Sequence, residues 1–340
     1  MLTHIRNVAP RLLHQLQTNV ARQRGGFELV WAAHDQWPLL PGRDLATDRL
    51  RISVLDSSFN PPTLAHLALA NSPRPRRPAS DGSDRDYDAK LLLLSVKNVD
   101  KTLKPGDATY VERLEMMGLL ARDVRTQHQL EDGMANVAIG IIDAPTFVGK
   151  SEIITELLST QLLPSIAAPT RPFTPPRVQL TFIVGMDTLE RLFSPRYYPP
   201  PADRPGVTSD KVMMEVLSHM LAPEGDDSFI VCANRAAALS AGTPSTQPNL
   251  DPILKLTSQR GWTPAAGEDC TPDTSTSAVL EEPKIQFIDI GERESQLSST
   301  AVRRSRETGG HWRDLVTKRV ASFIEMDKLY QSRLGPDPAI

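Results

Sequence analysis

Cysteine is scarce. Two residues, Cys232 and Cys270, in a chain of 340 exclude a disulfide framework and a thiolate zinc cluster, and they fit a reducing compartment. Long apolar runs are missing too: none approaches the ~20 residues that a membrane span requires, so no membrane partner is expected. An excess of positive charge is absent. The formal net charge is −3, which argues against a general nucleic-acid binder, whose affinity rests on neutralising phosphates. No internal repeat and no all-protein metal cage are visible. Between Met1 and Phe27 there is no acidic residue, while Arg6, Arg11, Arg22 and Arg24 are present. That segment reads as an amphipathic surface helix with Leu12, Leu13, Leu16 and Val20 on one side. A mitochondrial transit peptide is the alternative, set back by the lack of serine. The expected location is therefore the cytoplasm or the nucleus.

The apolar share is 40% and the charged share 23%, ordinary for a soluble protein with one large or two small α/β domains. Short apolar runs bounded by Pro, Gly or charge predict buried strands at Arg51–Leu55, Lys90–Val96, Asn136–Asp143, Val178–Val184, Asp227–Cys232 and Lys284–Ile290. Helical patterns lie between them: Tyr110–Asp123, Ser151–Leu163 and a long final helix at His311–Tyr330. Alternating strands and helices predict an α/β fold, a doubly wound, Rossmann-like parallel sheet of five to six strands flanked by helices. Long Pro-rich insertions interrupt it at Asn71–Asp88, Pro164–Pro176, Ser194–Gly206 and Ala241–Pro283, and these are expected to be loops. The expected organisation is an extension at 1–49, one domain at 50–332 and a tail at 333–340.

One stretch carries most of the chemistry. Val54-Leu-Asp-Ser-Ser-Phe-Asn-Pro-Pro-Thr-Leu-Ala-His66 runs from a strand through a small-polar turn into a helix. Such a turn at the carboxyl end of a first parallel strand suits a phosphate. Ser57 and Ser58 are small enough to let backbone N–H groups approach it. Thr63 and His66 share a helix face near its positive end. A hydroxyl and an imidazole aimed at one anion fit phosphoryl or nucleotidyl transfer. A second anion site is expected after the last strand, in Ser298-Ser-Thr-Ala-Val-Arg-Arg304. There Ser298 and Ser299 can cap a helix, and Arg303 stands one turn in with a fork suited to phosphate oxygens. Gly149-Lys150-Ser151 is not a P-loop, because Ala144 stands where its first glycine should be.

Phe59-Asn-Pro-x-Thr-x-x-His66 resembles the signature of the nucleotidyltransferase superfamily that includes the nicotinamide-mononucleotide adenylyltransferases, in its eukaryotic form with Thr63. Ser57 stands where that family usually has Gly. Leu297-Ser-Ser-Thr-x-x-Arg303 resembles the family's second signature. Phe182-Ile-Val-Gly-Met-Asp-Thr-Leu-Glu190 resembles its Gly-x-Asp element, and Cys232-Ala-Asn-Arg235 its strand leading into an Arg. The resemblance implies transfer of AMP from ATP to nicotinamide mononucleotide, with Mg²⁺ accompanying ATP. It makes His66, Thr63 and Arg303 catalytic. It gives Ser57, Ser58, Phe59, Ser298, Ser299, Thr300 and one lysine of Lys97, Lys101 and Lys104, with Lys101 taken, to ATP and its phosphates. It gives Gly185, Asp187, Arg235 and Phe147 to the nucleotides, with Tyr197 and Tyr198 as further candidates to stack on the nicotinamide ring. Two other readings stay open: another nucleotidyl transfer or ATP hydrolysis, and a nucleotide-binding regulatory protein without turnover. A homo-oligomer also stays open.

Overall fold

The computed structural model describes residues 1–18, 25–40, 49–75, 86–97, 106–125, 135–166, 176–234, 251–262 and 283–331. Among these residues seven strands form one sheet: β1 (Phe27–Ala32), β2 (Arg49–Asp56), β3 (Ala89–Ser95), β4 (Val137–Ile142), β5 (Arg177–Gly185), β6 (Phe229–Asn234) and β7 (Ile285–Asp289). Their order is β1-β4-β3-β2-β5-β6-β7. β1 runs antiparallel to β4, and every other neighbouring pair is parallel.

The helices are α1 (Leu2–Thr18), α2 (Leu64–Asn71), α3 (Tyr110–Ala121), α4 (Phe147–Leu157), α5 (Leu163–Ile166), α6 (Met186–Leu192), α7 (Ser209–Leu221), α8 (Asp251–Gln259), α9 (Glu292–Ser295), α10 (Ser299–Glu307) and α11 (Lys318–Met326). A five-residue π turn, Leu158–Leu162, joins α4 to α5.

The strands are apolar on both faces because both faces are covered. Along β3, Leu91 and Leu93 enter one core with Ile52, Val54, Phe182 and Leu217. Leu92 and Leu94 enter the other with Ile5, Ala70, Leu114 and Ile139. Thus α1, α2 and α3 cover one face, and α4, α6 and α7 cover the other. This is the doubly wound arrangement. β2 is central, with β3 on one side and β5 on the other, so the chain reverses its winding there. In open α/β sheets that reversal opens a ligand crevice at the carboxyl ends of the strands.

The sheet has one strand more than the five to six expected. β1 buries Phe27 and Val30, three residues apart, rather than alternate residues, because its register against β4 shifts between Leu29 and Trp31. It crosses β4 closely. A Cβ at Gly140 would lie 2.4 Å from the Phe27 ring. Residues 1–49, expected as an extension, therefore supply α1 and β1 to the domain's own core.

The final helix also differs from the expectation. His311–Tyr330 divides into a 3₁₀ turn, Trp312–Leu315, and α11. Thr317 sits between them as an N-cap, its hydroxyl accepting the Val320 N–H, while Trp312 and Val316 turn inward. Among the insertions, Ala241–Pro283 contains α8, and Ser194–Gly206 contains a short 3₁₀ turn at Pro195–Tyr197.

Candidate active site

β2 ends at Asp56, and the turn that follows carries the first motif. The N–H of Ser57 donates to the Leu93 carbonyl of β3 at 3.2 Å, so this amide continues the sheet rather than facing a ligand. Ser57 meets the site through its hydroxyl, which lies 2.9 Å from His66 Nε2. Phe59 is fully buried at φ 44, and its ring stands 5.3 Å from the His66 ring. Its side chain packs against His66. The Ser58 carbonyl accepts from Arg113 Nη1 at 3.4 Å. The Asn60–Pro61 peptide is cis.

Thr63 caps α2 and is fully buried. Its N–H donates to His66 Nδ1 at 3.0 Å, and its hydroxyl lies 2.8 Å from the same nitrogen. The expected second hydroxyl donor is therefore turned toward the imidazole, which it fixes in orientation. An Nδ1 that accepts from an amide carries no proton, so the ring's proton is on Nε2, where it donates to the Ser57 hydroxyl. Burial lowers the His66 pKa to about 4, and the ring is neutral at pH 7. The other end of α2 is tied by Lys90 of β3, whose buried ammonium donates to the Ala70 carbonyl at 2.6 Å. Burial pulls its pKa down to about 8, against the opposing pull of Asp86.

The His66 shift has a consequence for stability. The unfolded chain takes up a proton near pH 6.5, whereas the folded ring refuses it until about pH 4. The folded state therefore loses stability as the pH falls through that window. Urea unfolding should show a steeper fall for the wild type than for His66→Gln over this range, and parallel profiles would overturn the assignment.

The second motif folds against the first. Ser298 caps α10 by accepting the Ala301 N–H at 3.1 Å. The Ser299 hydroxyl donates to the Pro61 carbonyl at 2.8 Å, across 238 residues of sequence. Arg303 Nη1 donates to the Asn60 carbonyl at 2.6 Å, and its Nη2 reaches the Thr300 hydroxyl at 3.3 Å. Arg303 Nε also lies 3.8 Å from Asp107. Asp107 pairs at 3.6 Å with the buried Arg113 of α3. Burial pulls the Arg113 guanidinium below its ordinary value, and Asp107 opposes that.

Gly185 ends β5 beside β2 and begins α6, and a side chain there would meet open space. Asp187 is exposed in the first turn of α6. Phe147, at the start of α4, is half-buried edge-on to Phe182 and lies under the Lys150 ammonium at 4.8 Å. Lys150 reaches across to pair with Asp56, and both side chains are buried. Tyr198 is not available to a ring: it is buried, and its hydroxyl donates to the Leu192 carbonyl. Lys97 pairs with Asp143 at 2.8 Å. Lys101, Lys104 and Arg235 lie outside the described residues.

No protein-family profile matches the chain. Over 196 residues it is 31% identical to a protein of Schizosaccharomyces pombe (strain 972 / ATCC 24843) named "putative nicotinamide mononucleotide adenylyltransferase". The chain is similar to the nicotinamide-mononucleotide adenylyltransferase family. The match takes in 56% of this chain and 58% of that relative, so the chain spans less than two thirds of the relative's length. Among solved structures, the Plasmodium falciparum nicotinic acid mononucleotide adenylyltransferase, complexed with NaAD or with APC, aligns over 83% of this chain and 97% of its own. The identity is 12% and the TM-score 0.44. A Vibrio parahaemolyticus structure named "putative nicotinate-nucleotide adenylyltransferase" aligns over 83% and 95%, at 13% identity and a TM-score of 0.37.

Proposed function

We propose that the chain transfers AMP from ATP to nicotinamide mononucleotide, giving NAD and pyrophosphate. The observation that carries this reading is the meeting of Arg303 and Ser299 with the backbone at Asn60 and Pro61, beside His66. That juxtaposition provides for two ends of one triphosphate. The acceptor phosphate attacks the α-phosphorus directly, so no protein nucleophile is needed, and catalysis is positioning with charge stabilisation. His66 Nε2–H donates to the α-phosphate oxygen as charge grows there, in exchange for its bond to Ser57. Arg303 and the N-terminus of α10, with Ser298 and Thr300, hold the departing pyrophosphate. Gly185 and Asp187 receive the nucleotides at the crevice, with Phe147 beside them.

Mg²⁺ is proposed as the companion of ATP. Among the described residues no group of three carboxylate, imidazole or thiol side chains is placed to hold a metal. Asp56 and Asp107 are already paired with cations. The ion would come with the triphosphate, and no step is assigned to a protein ligand of it. The cytoplasm or nucleus is proposed as the location. Among the described residues no helix is long and apolar enough to cross a membrane.

Purified protein, Mg²⁺-ATP and nicotinamide mononucleotide should yield NAD and pyrophosphate in equal amounts. Phosphate release without the mononucleotide would indicate an ATPase instead. Nucleotide binding without either product would favour the regulatory reading, to which the Ser57–His66 bond lends some support because it occupies the imidazole's one donor.

A further inference from the structure

We propose that Tyr330, near the chain's end, is a positioning residue for Arg303 that acts through Asn60. The Tyr330 hydroxyl donates to Asn60 Oδ1 at 2.8 Å, across 270 residues of sequence. The same oxygen accepts the Ala108 N–H at 3.2 Å. With its oxygen held by two donors, the Asn60 amide has one orientation, and its Nδ2 donates to Asp107 Oδ1 at 2.7 Å. Asp107 is the carboxylate facing both Arg303 and Arg113, and the Asn60 carbonyl is the acceptor of Arg303 Nη1. Tyr330 therefore fixes the side-chain amide that holds the Asp107 carboxylate facing the guanidinium, on the same residue whose backbone carbonyl accepts Arg303 Nη1.

Two further observations fit this role. Tyr330 is buried in the satellite core formed by α3, α10, α11 and Trp312, although it follows α11. It is also held at φ 54, in the left-handed region that a large side chain seldom adopts. Such a conformation persists only where surrounding contacts enforce it. The hydroxyl is the group with no packing role, so removing it alone separates aim from core.

The inference rests on the proposed transfer for its kinetic arm, and a binding arm keeps it separable. Calorimetry with Mg²⁺-pyrophosphate should show Tyr330→Phe weakening binding about three- to tenfold, the net value of one hydrogen bond. In an Arg303→Ala background the same change should have no further effect. An equal loss in both backgrounds, or no loss in the single variant, would overturn the proposal. In turnover, Tyr330→Phe should raise KM for ATP and leave KM for the mononucleotide unchanged, with the thermal midpoint close to wild type. If Tyr330→Phe does not fold, Asp107→Asn takes its place, with the same non-additivity with Arg303→Ala expected. If the wild type makes no NAD, the transfer reading fails, while the pyrophosphate cycle still decides the role of Tyr330.

Discussion

Replacing His66 by alanine should lower kcat for NAD formation by about 10²–10³, the usual loss when one donor to a developing oxyanion is removed. The fold should survive, at a cost of about 1 kcal/mol, because His66 also accepts the Thr63 N–H at the start of α2. The rate should be insensitive to titration of this residue between pH 6 and 8, since the folded imidazole is uncharged throughout that range. Quenched-flow or steady-state assay of NAD, with circular dichroism as the check on folding, decides it. Turnover near the wild-type rate in a folded variant would remove His66 from the mechanism.

Lys150→Ala should destabilise the fold by about 3–5 kcal/mol, because it leaves the Asp56 carboxylate buried at the end of β2 without its cation. The carboxylate's hydrogen bond from the Ser95 hydroxyl is 3.4 Å long, too weak to compensate. Replacing both partners, as in Asp56→Asn with Lys150→Met, should recover much of the loss, since the larger cost lies in stranding one charge. Urea unfolding measures both variants. A single variant within about 1 kcal/mol of wild type would mean that water reaches Asp56 freely.

Six of the seven strands were legible: β3, β4, β5 and β6 lie inside the sheet and read as near-continuous apolar runs, and β2 and the edge strand β7 still show apolar residues bounded by charged or Pro turns. β1 was not, since its register slip removes the alternation that marks a half-buried strand. The break before α11 was not legible either. The apolar spacing of Leu315, Val316 and Val320 continues a helical stripe, and only the packing of Trp312 and the Thr317 cap interrupts the backbone. Within the site, the two motifs meet: Ser299 and Arg303 reach the backbone at Pro61 and Asn60, in the turn that precedes His66. The orientations were another matter. Thr63 and Phe59 belong to the motif by type, yet burial turns both of them onto His66. Asp107 and Tyr330 carry no local pattern at all; they matter because the folded chain brings them to one asparagine.

The Ser57 hydroxyl already accepts from His66 in the structure. A ligand oxygen arriving at His66 does not enter a bare pocket; it trades places with a group the protein supplies itself. The imidazole never loses its partner during such a swap, so the gain is only the difference between two hydrogen bonds. On the proposed transfer, nucleotide binding at this point would be held to modest strength, while the same donor would gain more from the more highly charged oxygen of the transition state.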